Sequence, residues 1–147
     1  MSHTYAQNTL HIVFSIKDRA PFISTEFHPQ LWAYVAGVCQ ELGIHVHTIG
    51  GMPDHIHLLV QIPPVLVLSK ALQTIKASSS KWARAKGRSF AWQDGYAAFS
   101  VSASVVPTVV RYIETQAVHH KKLSFADEFL ALLKKHGIAY EMEHVLG

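Results

Sequence analysis

The sequence predicts an α+β fold of the ferredoxin-like, split βαβ kind: a four-stranded antiparallel sheet in the order β-α-β-β-α-β, two helices on one face, and further C-terminal helices. Three observations predict it. Four short segments rich in β-branched and aromatic residues alternate with longer stretches whose apolar residues recur at helical spacing. Gly43, Pro63 and Gly137 fall where such segments end. The 147 residues, 49% hydrophobic, suffice for one sizeable core and leave little room for a second, so a single domain over residues 1–147 is expected.

The first strand is Thr9 to Ile16 (TLHIVFSI). Thr25 to Leu42 carries Leu31, Val35, Val38 and Leu42 at helical spacing, and Gly43 supplies the C-terminal stop. Ile44 to Ile49 alternates as a second strand, Gly50, Gly51, Met52, Pro53 and Asp54 supply turn chemistry, and His55 to Ile62 returns as a third strand. Pro63 and Pro64 end it. A helix from Val67 to Lys86 shows Leu68, Leu72, Ile75, Ser79 and Trp82 on one face and Lys70, Lys81, Arg84 and Arg88 in an arc on the other. Ala97 to Ser102 forms a fourth strand. Ser104 is the expected N-cap, with Pro107 in the first turn, of a helix reaching His120; a last helix runs from Phe125 to His136 and stops at Gly137.

Composition narrows the function. One cysteine, Cys39, excludes an internal disulfide or a multi-cysteine zinc site, and its apolar neighbours make it a buried thiol. No segment approaches the ~20 apolar residues of a membrane-spanning helix. Met1 to Leu10 lacks the apolar run of a secretory signal, so a cytoplasmic location is expected. The net charge is only +3, but Lys70, Lys76, Lys81, Arg84, Lys86 and Arg88 crowd an interval, Asp54 to Asp94, with no acid between. That face either tracks a DNA backbone or is simply solvated. Trp92 and Tyr96 either stack a base or pack internally.

Two segments carry chemistry. In a strand, His55 and His57 share one face while Ile56, Leu58 and Val60 point to the other. If the helices cover the apolar side, the histidines stand on the open face, close enough to share a divalent metal or else merely solvated. His45 and His47 repeat the spacing without a clear third ligand, and are read as structural. On a helix, Tyr112 and Gln116 share a face, with His119 and His120 further along. Tyrosine offers an oxygen nucleophile and glutamine a hard carbonyl ligand, unless the helix is an ordinary amphipathic one.

Together, PDHIHLLV (Pro53 to Val60) and YIETQ (Tyr112 to Gln116) resemble the single-tyrosine HUH transposases of IS200-like insertion sequences, which move as single-stranded DNA. HIVFSIKDRAPFI (His11 to Ile23), WQDGYAAFSVS (Trp92 to Ser102) and QAVHHKKLSFADEF (Gln116 to Phe129) are similar too, so the resemblance spans almost the whole chain in order. It implies that Tyr112 is the nucleophile, that His55, His57 and Gln116 hold Mg²⁺ or Mn²⁺, and that the DNA is cut and rejoined through a 5′-phosphotyrosine. It implies that His119 and His120 contact phosphate or the partner chain, and that the substrate is single-stranded DNA with hairpin ends. It implies a homodimer, in which the tyrosine helix of one subunit serves the other in several members. A host-adopted relative that processes repetitive hairpins without mobilising an element would carry the same motifs.

The chemistry suits the residues. A cation with open coordination positions neutralises a phosphate and stabilises its departing 3′ oxygen. A phenol of pKa ~10 needs help to attack, yet leaves well enough for a 3′-hydroxyl to reverse the step. A cyclic phosphodiesterase would need two His-x-Thr motifs, whereas only His47-Thr48 approaches one. An RNA-binding sheet would want exposed aromatics where this chain has histidines.

Overall fold

In a computed structural model describing residues 3–145, the four apolar segments pair into one antiparallel sheet. β1 (Thr9–Ser15) leads to α1 (His28–Glu41); β2 (His45–Met52) and β3 (His55–Gln61) form a hairpin; α2 (Leu68–Ala85) precedes β4 (Ala97–Ser100). The strand order β2-β3-β1-β4 is the split βαβ arrangement that the alternation predicts. Four C-terminal helices follow: α3 (Val106–Glu114), α4 (Gln116–His119), α5 (Phe125–Lys135) and α6 (Met142–Val145). Among the described residues no helix is long and apolar enough to cross a membrane.

The period-2 pattern gives the sheet two buried faces. Ile12, Phe14, Ile16, Ile56, Leu58 and Val60 pack against Leu31, Val35 and Cys39 of α1 and Leu72 and Ile75 of α2. Burial of each such side chain stabilises the fold by about 1.5–3 kcal/mol. Burial also pushes the Cys39 thiol up to about 11, leaving it inert. Trp82 stacks on Phe27 and Tyr34, and Trp92 donates to Ser79 Oγ at 2.9 Å beneath Phe14, so both are packing residues.

The other face is not open. Val13, Ala97 and Phe99 pack on Phe125, Phe129 and Leu133 of α5, while Leu59 and Val101 meet Ile113 of α3. The face expected to stand in solvent is therefore a second core, which also removes the exposed platform an RNA-binding sheet needs. Its sequence signal is the apolar stripe of α5, which must be buried somewhere.

Several boundaries move. Gly50 and Gly51 belong to β2, and the turn is only Pro53 and Asp54. Gly50 pairs with His57, and a Cβ there would stand 2.8 Å from the Ile113 carbonyl oxygen, so glycine lets α3 approach the sheet. The tyrosine helix is broken at Thr115 (φ −108, ψ 29), with Gln116 opening the next short helix. Its N-cap is Val105, not Ser104, whose hydroxyl pairs with Ser102 at 3.2 Å. Arg88 does not continue the basic arc of α2: it follows the left-handed Gly87, lies over the Phe27 ring and donates to Ser24 Oγ at 3.0 Å. Lys70, Lys81 and Arg84 remain exposed on α2, on the far side of the sheet from the histidine pair.

Candidate active site

Strand alternation and the tight Pro53–Asp54 turn aim His55 and His57 at the second face, where both are 0% exposed. Each has its Nδ1 engaged. His55 Nδ1 donates to Asp54 Oδ1 at 2.7 Å, and His57 Nδ1 lies 2.8 Å from His11 Nε2, a diagonal neighbour on β1. The two Nε2 atoms therefore converge. Between them Glu128 of α5 presents Oε1, 3.1 Å from His57 and 3.4 Å from His55. Gln116 Oε1 lies 2.9 Å from His55 Nε2, and its amide donates to Glu128 Oε2 at 3.1 Å. His120 Nε2 is 3.1 Å from both Gln116 Oε1 and Glu128 Oε1. The Tyr112 hydroxyl donates to Glu128 Oε2, its ring 5.8 Å from that of His57.

The charges follow from these partners. Burial pulls His55 down, but hydrogen bonds to Asp54, Glu128 and Gln116 outweigh it and push the imidazole up to about 9. Burial keeps His57 and His11 neutral, His11 falling to about 3. Burial opposes the charge on Glu128, yet the His55 and His57 hydrogen bonds hold its carboxyl well below the usual range. Burial and the carboxylate together raise the Tyr112 phenol above its ordinary value.

The donor set fits a divalent cation. Ligands about 2.1 Å from one ion stand roughly 3.0–3.4 Å apart at octahedral or tetrahedral angles. The Nε2–Oε1 separations above, 2.9–3.4 Å, match that spacing. Asp54 and His11 bond the outer nitrogens, the arrangement that orients metal-bound histidines. His55 has acceptors on both nitrogens, so a proton on Nε2 occupies the position a cation would take. The groups that could hold a metal are thus His55, His57 and Glu128, with Gln116 beside them.

Residues 4–116 match the family described as transposase, IS200 like. The chain belongs to that family. A curated relative, the ISDra2 transposase TnpA of Deinococcus radiodurans, is 24% identical over 114 residues, covering 72% of this chain and 81% of that protein. In fold the chain is similar to a crystal structure from Deinococcus radiodurans R1 assigned as a transposase, with a TM-score of 0.63 at 20% identity, covering 79% of this chain and 95% of the other. It is also similar to a REP-associated tyrosine transposase bound to a REP hairpin, with a TM-score of 0.60 at 17% identity, covering 82% and 73%.

In this IS200-like family member, Tyr112, His55, His57 and Gln116 come together as the sequence predicts. His120 joins them, and the His119 ring packs at a tilt against Tyr112 with centroids 4.7 Å apart. His45 and His47 are exposed and stand apart, beside a bulge in β2. Three participants escaped sequence reasoning: Glu128, His11 and Asp54. Glu128 had a signal, a carboxylate inside the apolar stripe of α5 beside Phe125 and Phe129. His11 alternates onto the same face as Val13, where a lone polar residue in an apolar strand seeks a partner.

Proposed function

We propose that the protein cleaves and rejoins single-stranded DNA at insertion-sequence ends through a covalent 5′-phosphotyrosine on Tyr112. His55, His57, Glu128 and Gln116 would hold the divalent cation, Mg²⁺ or Mn²⁺. The observation that carries this reading is the Tyr112 hydroxyl bonded to the carboxylate whose other oxygen lies between the two histidines. Bound there, the cation would neutralise a phosphate oxygen and favour departure of the 3′ oxygen.

The chain's own residues supply the rest. Glu128 holds the phenol oxygen beside the histidine pair by accepting its hydrogen bond, and the phenol proton passes to a phosphate oxygen or water as the oxygen–phosphorus bond forms. The bond from phosphorus to the 3′ oxygen breaks in the same step. A 3′-hydroxyl from another strand then attacks the phosphotyrosine and returns the phenol. The cover of α3 and α5 limits water, the acceptor that would turn transfer into hydrolysis. Within one chain Tyr112 already reaches the histidines, and a homodimer would bring two DNA ends together. Exposed Lys70, Lys81 and Arg84 would contact DNA backbone on the face remote from cleavage.

The test is incubation with oligonucleotides from the element ends plus Mn²⁺ or Mg²⁺. A denaturation-resistant protein–DNA adduct is expected, absent in Tyr112→Phe and strongly reduced in His55→Ala. An adduct that persists in Tyr112→Phe overturns the assignment.

A further inference from the structure

Beside Tyr112, on the side away from the paired imidazoles, a cleft of about 470 Å³ opens between α3 and α5. His11 and Val101 line it from the sheet, Val109 and Tyr112 from α3, and Leu132 and Lys135 from α5. Its volume falls within the roughly 300–1,000 Å³ of small-ligand sites. The depth is graded: His11 is buried, Val109 and Leu132 are half-buried, and Lys135, Ser102 and Thr108 are exposed at the mouth. Three other cavities, of about 290–390 Å³, do not include Tyr112. On the metal-binding side Phe125 stacks on His55 with centroids 4.4 Å apart.

We propose that this cleft receives the nucleotide adjoining the scissile phosphate, so that the protein itself reads one base of the cleaved strand. The inference rests on the function proposed above, because it is the attack by Tyr112 that brings a nucleotide to this place. A phosphate within reach of the phenol carries a nucleoside on each side, and Tyr112 itself lines the cleft. Its chemistry suits a base. Val109 of α3 and Leu132 of α5 both line it and offer apolar surface to a base. His11, whose Nε2 is committed to His57, has Nδ1 left for a base edge at the bottom. Lys135 and the hydroxyls of Ser102 and Thr108 at the mouth suit the sugar and the next phosphate.

The test substitutes an abasic residue, one at a time, for the nucleotide on either side of the cleaved bond and follows adduct formation on the full chain. One of the two substitutions should slow the wild type by roughly tenfold. Val109→Trp, which fills the cleft, should be slow with intact DNA and indifferent to the abasic residue. Separately, each deoxynucleoside monophosphate is titrated into metal-free Tyr112→Phe protein with labelled methyl groups. Saturable shifts at Val101, Val109 and Leu132 are expected, with those at Val101 and Leu132 lost in Val109→Trp. If the adduct forms and neither abasic substitution changes its rate by more than twofold, the cleft proposal fails while the proposed function stands. If no DNA yields an adduct, the proposed function fails, and absence of saturable methyl shifts then overturns the cleft as well.

Discussion

Gly50→Ala tests how packing positions the nucleophile. Gly50 sits opposite His57 in the β2–β3 pair, beneath the helix that carries Tyr112. An added Cβ would stand 2.8 Å from the Ile113 carbonyl oxygen and 2.9 Å from its Cγ2. Comfortable carbon contacts begin near ~3.5 Å, so α3 must retreat by roughly 0.6 Å or more. The backbone oxygen cannot rotate away, so trimming Ile113 would relieve only part of the clash. Overpacking of this kind costs about 1–3 kcal/mol of stability. Tyr112 is the adjacent residue, and a misplacement approaching ~1 Å costs up to about a hundredfold in rate. The expected outcome is a lower urea midpoint and a single-turnover adduct rate reduced by roughly ten- to a hundredfold. Gly37→Ala in α1 is the control: nothing lies within 4 Å of its Cβ, and it should gain about 0.5–1 kcal/mol. A Gly50→Ala protein of unchanged midpoint and rate within twofold of wild type would refute the idea that this contact sets the tyrosine's position.

Other expectations concern the buried network. In metal-free protein His55 titrates at about 9 when folded and near 6.5 when unfolded, so its contribution is fully present below about 6.5 and is lost as pH rises through about 9. That contribution is roughly 3 kcal/mol; urea midpoints measured in chelator should fall across this window in wild type and stay flatter in His55→Gln, and equal slopes would contradict it. Asp54→Asn removes the carboxylate behind His55 and should weaken Mn²⁺ binding by roughly 10–100-fold in calorimetry, while an unchanged affinity would remove Asp54 from the site. Glu128→Ala withdraws the group shared by Tyr112, His55, His57 and His120; metal binding and adduct formation should both collapse, and retention of either would limit Glu128 to packing.

Much of this architecture is written locally. Alternation in TLHIVFSI and HIHLLVQI determines which side chains share a face, and Gly43 and Gly137 end helices where left-handed backbone is required. His55 with His57, and Tyr112 with Gln116, are legible because each pair is fixed by one element's own period. What sequence reasoning missed depends on how elements meet. Glu128 lies 71 residues from His57 and 16 from Tyr112, and only the docking of α5 on the second sheet face brings the three together. The break at Thr115 has no glycine or proline to announce it; the helix ends there as Thr115 Oγ1 turns back to the Arg111 carbonyl at 2.7 Å. Arg88 left the basic arc because Gly87 reversed the chain one residue earlier.

The most direct measurement is mass spectrometry of protease-digested adduct formed on a cleaved oligonucleotide. The account predicts a 5′-phosphorylated DNA fragment esterified to the peptide bearing Tyr112, with a free 3′-hydroxyl on the released strand. DNA attached to Tyr96 or Tyr140 instead, or cleavage that leaves no protein-linked strand at any time, would contradict it.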